Sequence, residues 1–295
     1  MADRKLKNII EYIGFRIFVT TFRLLPRTLA LRIGEQLGRI FPYVQPKRRR
    51  IADENLLHAY PNLTQAERDD ICRRMFRHLG ISGAELVRLD TFDKQDDLDR
   101  YFDFDGLEHL QAAQAMDRGF LIVTAHLGFW EVGTIFLPLL GLPCDFVGKQ
   151  AKNPYFDAYL KRMREHTGSR VIYARNAARQ VVASLGEKRG VGVLIDHHMT
   201  PKNAVQVPFF GRLAWTTPII TQIAMKRQIP VVAAFSYRTP DLRYKVEIAP
   251  PIFLEGEMTE ENIRANTALL SAKIEAAIRK EPSQWFWVHR RWRVS

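Results

Sequence analysis

Cysteine is nearly absent from this sequence: Cys72 and Cys144 are the only two in 295 residues. Two isolated thiols exclude a disulfide framework and a thiolate zinc cluster, and they suit a reducing, cytosolic setting. Long apolar runs are missing as well. The N-terminal stretch carries Ile9, Ile10, Ile13, Ile17, Leu24 and Leu25 but is broken by Lys7, Arg16, Arg23, Arg27 and Arg32. It falls short of the roughly 18 to 20 apolar residues that span a bilayer. No small-residue cleavage site follows it, so a removable signal peptide is not expected. There is no internal repeat or low-complexity tract, no GxSxG elbow to present a nucleophilic serine, and no HExxH pair on one helix face.

Acidic residues are the minority charge, with Asp plus Glu 32 against Lys plus Arg 44 and a formal net charge of +12. Such a balance favours an anionic partner: nucleic acid, lipid headgroups, a phosphorylated substrate or an acidic protein. Charge alone does not choose among them. An apolar fraction of 46% is ample for one packed core. The basic, amphipathic residues 1–45 read as a helical region apart from a main domain over 46–295. Two readings fit that region: a helix lying in the cytoplasmic leaflet with its arginines among anionic headgroups, or a helix packed on the domain's own core.

Pro42 and Pro46 interrupt the first helical pattern, and a basic cluster, PKRRR, precedes the next. Helical spacing runs from Ile51 to Leu89, broken by PNLT, with Thr64 and Glu67 placed as a capping box. The Asp-rich stretch 90–105 reads as a loop with a short strand. Unalternating apolar runs at Leu121–Ala125 and Val191–Asp196 fit strands covered on both faces. Further strands are expected at Val171–Arg175, Pro230–Tyr237 and Tyr244–Ile248, and helices at Tyr155–His166 and Ala177–Glu187. Strands alternating with helices imply a βα-layered α/β sheet.

His126 stands at the end of the 121–125 strand, and Glu131 follows five positions later. Five helical residues turn through about 500°, which leaves the two side chains about 140° apart, so they are not paired metal ligands on a helix. A strand-to-helix turn can aim both into one pocket, with the carboxylate holding the imidazole tautomer and the other ring nitrogen free to take a proton. A histidine merely satisfied in the core fits the same spacing. Arg164 and Arg179, on helices that end near the expected crevice, are candidates for holding phosphate. The tail WFWVHRRWR mixes aromatics with arginines, which suits base stacking, a membrane interface, or core positions for Trp285 and Trp287 in a final strand. Asp196, His197, His198 and His126 have no specific metal-ligand spacing, and no metal or cofactor is expected.

HLGFWE resembles the His-x4-Glu form of the His-x4-Asp/Glu acyltransferase motif, in a setting similar to the late acyltransferases of lipid A (lipopolysaccharide) biosynthesis, the lauroyl and myristoyl transferases. The likeness continues through RRRIADENLLHAYPNLTQAE, GKQAKNPYFDAYLKRMREHTG, ARNAARQVVASLGEKRGVGVLID, VPFFGRLAWTT and QWFWVHRRWR. It implies a mixed sheet flanked by helices, like that of the glycerol-3-phosphate acyltransferases. It also implies His126 as general base with Glu131 as its partner, and Arg164 and Asp196 as further site residues. Many relatives read HxGNWE, so Phe129 departs from the pattern, as does His197-His198 after Asp196.

The implied reaction moves a long fatty acyl group from a thioester, on acyl carrier protein or coenzyme A, to a hydroxyl of a phosphorylated glycolipid, a lipid A precursor, at the cytoplasmic face of the inner membrane. The same chemistry on a lysophospholipid or a phosphatidylinositol mannoside is the alternative. A nucleic-acid-binding protein explains the charge but neither His126 nor Glu131, so no nucleic acid partner is expected. A metallohydrolase predicts loss of activity in chelator.

Overall fold

The computed structural model describes residues 2–173 and 176–293. Four helices come first: α1 (Ala2–Leu24), α2 (Arg27–Val44), α3 (Pro46–Ala59) and α4 (Gln65–Leu86). Then follow α5 (Gln95–Tyr101), β1 (Phe102–Asp105), α6 (Leu107–Ala115), β2 (Phe120–Thr124), α7 (Gly133–Leu139) and β3 (Cys144–Gly148). After these come α8 (Pro154–Arg164), β4 (Arg170–Tyr173), α9 (Ala177–Gly186), β5 (Gly190–Leu194), a hairpin of β6 (Val205–Phe209) and β7 (Arg212–Thr216), and α10 (Ile219–Arg227). The last elements are β8 (Val231–Arg238), β9 (Tyr244–Ile248) and α11 (Glu260–Lys280).

Seven strands form one sheet in the order β1-β9-β8-β2-β5-β3-β4. Every neighbouring pair is parallel except β8 with β9, which is antiparallel. The central strands are apolar throughout because helices cover both faces, and the two-residue period divides them. Leu121 and Val123 pack on one side with Val191, Val193, Phe235 and the face of α11. Phe120 and Ile122 pack on the other with Val232, Ala234, Leu110 and Phe136. The α/β class and the mixed sheet flanked by helices expected above are what the chain builds.

Local signals account for several boundaries. Thr64 and Glu67 cap α4 reciprocally, as their spacing predicts. Pro46 opens α3 at its first turn, where the missing N–H costs nothing. Pro42 lies inside α2 without ending it. The stretch 90–105, read as a loop with a short strand, also holds α5. Its Asp97 carboxylate accepts from the backbone N–H groups of Asp93 and Lys94, so the acidic run that suggested a loop caps a helix instead. Ala174 and Arg175, the end of the expected strand 171–175, lie outside the described residues.

The N-terminal helices are tied to the rest. Val19 and Phe22 of α1 are buried in the core, and Arg27 pairs with Glu85 of α4. Where α2 crosses α4, a Cβ on Gly80 would lie 2.1 Å from the carbonyl oxygen of Gly34, so only glycine permits this approach. The other face of α1 leaves Leu6, Ile10, Ile13, Ile17 and Leu24 exposed, and α2 adds Leu37, Ile40, Tyr43 and Val44. Among the described residues no helix is long and apolar enough to cross a membrane.

Candidate active site

Parallel strands in one sheet bring their carboxyl ends, and the loops that follow, to one edge. His126 follows β2 there, and Asp196 follows the adjacent β5. The turn between His126 and Glu131 is forced by Gly128, whose φ is +60°: a Cβ there would fall 1.8 Å from the Ser236 carbonyl oxygen. The buried ring of His78 donates to the Gly128 carbonyl at 2.9 Å, and the Gly128 N–H donates to Gln284 at 3.0 Å. The loop is thereby held from α4 on one side and from the tail on the other.

The imidazole partner is Asp196. His126 Nδ1–H donates to Asp196 Oδ1 at 2.9 Å, and the His126 backbone N–H donates to Oδ2 at 2.9 Å. Trp285 Nε1–H donates to the same Oδ2 at 2.7 Å. Burial alone would raise the Asp196 pKa, but these bonds and the positive charge His126 can carry hold it well below the usual carboxylate range. The carboxylate fixes the proton on Nδ1 and leaves the lone pair on Nε2, and the His126 side chain is 22% exposed while that of Asp196 is wholly buried.

Glu131, expected to be the partner of His126, is engaged elsewhere. It lies in the single 3₁₀ turn Trp130–Val132, and its carboxylate takes two hydrogen bonds from Arg164 at the end of α8, Nε at 2.7 Å and Nη2 at 2.6 Å. The fork of the guanidinium occupies both carboxylate oxygens, so the pair forms a rigid part of the wall. Asp196, which the resemblance implied as a further site residue and whose expected part was in binding substrate, is wholly enclosed, with its carboxylate on His126 and not on the cavity. Arg179 is exposed in the first turn of α9 and does not line the cavity described below. Phe129 is buried against Tyr244, with the Arg238 guanidinium over its ring, so this departure from the usual motif faces the core.

His126, Glu131 and Arg164 line a cavity of about 510 Å³. Its wall is otherwise largely apolar, with Leu110, Ile122, Phe136, Leu137, Ala234 and Val246 on the face away from the tail. Ile122 lies within β2, four residues before His126 in the chain, so the apolar lining runs back along the sheet from the histidine. Lys149 also lines it.

The tail contributes what spacing could not foretell. Trp285 and Trp287 are fully buried, but they follow the 3₁₀ turn Pro282–Gln284 and reach the sheet's loops through a single bridge, Leu127 to Trp285, and not through a final strand. The Phe286 N–H donates to the His126 carbonyl at 3.0 Å. His197 stacks on His126 with ring centroids 3.6 Å apart and planes 2° apart, and His289 stacks on His197 at 3.9 Å and 2°. Burial lowers the His197 pKa to about 3 and that of His289 to about 4. Donor atoms of His126, Asp196 and His197 come within 4.8 Å of one another. Parallel rings send their lone pairs side by side, and Asp196 already takes three hydrogen bonds, so the set suits holding an imidazole better than enclosing a metal ion.

The family model described as bacterial lipid A biosynthesis acyltransferase matches residues 2–294. The lipid A biosynthesis palmitoleoyltransferase of Escherichia coli (strain K12) is 26% identical over 96% of this chain and 94% of its own length. The lauroyltransferase of the same organism is 24% identical over 92% of this chain and 87% of its own. The crystal structure of the 1-acyl-sn-glycerophosphate acyltransferase PlsC from Thermotoga maritima aligns with a TM-score of 0.41 and 15% identity, covering 87% of this chain and 99% of that one. With a match that runs almost from end to end, the chain belongs to the bacterial lipid A biosynthesis acyltransferase family and is an acyltransferase.

Proposed function

We propose that the protein transfers a long-chain fatty acyl group from an acyl-carrier-protein thioester to a hydroxyl of a lipid A precursor, with His126 as general base. The observation that carries the proposal is the Asp196 clamp on Nδ1 of a histidine that lines a largely apolar cavity. Nε2 takes the proton of the attacking hydroxyl as its oxygen bonds to the thioester carbon. The tetrahedral adduct collapses with loss of the C–S bond, and the imidazolium returns the proton to the departing thiolate. No acyl-enzyme intermediate is needed, which agrees with the absence of a serine elbow and with Cys144 and Cys72 being buried thiols whose pKa values burial raises.

The apolar end of the cavity takes the hydrocarbon, and Lys149 on its wall offers positive charge to a phosphorylated acceptor, with Arg164 held beside the cavity by Glu131. The exposed isoleucines of α1, with Arg16 between them, rest on the cytoplasmic face of the inner membrane and bring the site to a lipid-borne acceptor. An acidic carrier protein is attracted by the same positive charge that favours anionic lipid.

Purified protein given acyl carrier protein loaded with a long-chain acyl group and a lipid A precursor should add one acyl mass to the precursor, read by mass spectrometry. His126→Ala should lower the rate by about 10² to 10⁴ and remain folded. A folded His126→Ala protein with wild-type turnover would overturn the assignment of the base.

A further inference from the structure

Asp196 fixes one edge of His126. That bond and the tether at Cβ confine the ring's plane to the play left in χ1 and χ2, and a contact on the ring's face narrows it further. His197 supplies that contact at 3.6 Å and 2°. His197 is in turn backed by His289 and anchored by its own carbonyl, which accepts from Arg291 Nη1 at 3.2 Å. The ring of His197 buries its Nε2 without a hydrogen-bond partner among the described residues, and the stack lies against its faces. The edge of Trp130 closes on His126 with centroids 5.0 Å apart.

We propose that His197 is a positioning residue for the base: its ring, backed by His289, fixes the plane of His126 so that Nε2 faces the cavity, and carries the face of the imidazolium formed during transfer. The inference rests on His126 being the base. A cation formed on one ring is favoured by an uncharged π face beside it, and is disfavoured if that face is itself charged. The charged and titratable groups around the stack set this up. Asp196 attracts a proton to it, while Arg291 from the tail and the neighbouring imidazoles oppose a second one. Across the cavity the Glu131–Arg164 pair is internally neutral. His197 and His289 therefore stay uncharged near neutral pH.

The test is a comparison of His197→Leu with His197→Phe in acyl transfer as a function of pH, with thermal melts to establish that both fold. Leucine fills space without a flat face. It should lower kcat about tenfold and move the acidic limb of the rate profile to lower pH, because the imidazolium has lost its π neighbour. The donor KM should stay near that of the wild type. Phenylalanine keeps the face and should recover most of the turnover with the limb in its original place. Equal impairment by the two, or a Leu variant with wild-type kcat and an unmoved limb, overturns the proposal. His126→Ala run alongside separates the two inferences. If it is inactive while His197→Leu is normal, only the positioning role falls; if it is active, the base assignment falls first.

Discussion

Replacing Asp196 by Asn tests which carboxylate serves the base, because the change is isosteric and the site's geometry predicts its effect. Asp196 accepts from His126 Nδ1, from the His126 N–H and from Trp285 Nε1. An amide supplies one oxygen and one NH₂. If the oxygen keeps Trp285 and the backbone N–H, the NH₂ meets Nδ1 and can only donate, which moves the ring proton to Nε2 and removes the lone pair the reaction uses. Loss of the charge also weakens the hydrogen bond to the imidazolium by about 1.5–3 kcal/mol, one to two decades in rate. With the tautomer error added, kcat should fall by about 10² to 10⁴. Glu131→Gln should behave differently, disturbing the Arg164 wall while leaving the pH dependence of the rate in place. The assay is steady-state transfer across pH 5 to 9 with melts as a check of folding. Wild-type kcat in Asp196→Asn, or a pH profile altered by Glu131→Gln and untouched by Asp196→Asn, would refute the assignment.

Acid should destabilise the fold through one buried and one partly buried histidine. Burial lowers His78 and His197 to about 3, so the native state stays neutral where the unfolded chain takes protons, and stability present above about pH 6.5 is lost as pH falls toward 3. At pH 5 the cost is about 2 kcal/mol per group, so a urea midpoint unchanged between pH 7 and 5 would count against it. Ile10, Ile13 and Ile17 changed together to Ser should weaken binding to anionic vesicles about 100-fold, at about 1 kcal/mol for each half-exposed side chain, with the fold intact; unchanged flotation would place the membrane contact elsewhere. Shortening the acyl donor by four carbons should cost up to about 3 kcal/mol in kcat/KM, and equal rates for long and short donors would argue against a chain seated in the apolar cavity.

The strands and most helices were legible because unalternating apolar runs such as 121–125 and 191–196 have few other uses. His126 was found by its place at a strand end. Its partner was not, since Asp196 is 70 residues away and becomes adjacent only because β2 pairs with β5. Glu131 looked like the partner because it was near in sequence, but the 3₁₀ turn aims it at Arg164. Trp285, His197 and His289 carried no spacing signal. The departure His197-His198 from the usual pattern was the one visible hint, and its meaning depends on stacking that no one-dimensional pattern encodes. Phe129, a second departure, proved to be a core residue beside Tyr244.

The clasp of residues 284–287 on the His126 loop has a consequence in time. Trp285 supplies a hydrogen bond to Asp196, Phe286 bonds the His126 carbonyl, and Gln284 receives the Gly128 N–H. These residues leave the ribosome long after the sheet's central strands. A nascent chain, or one cut short before Gln284, carries His126 and the cavity without the clasp that aligns them. In such a chain the sheet can be complete while the His126 loop is still held from one side only, by His78.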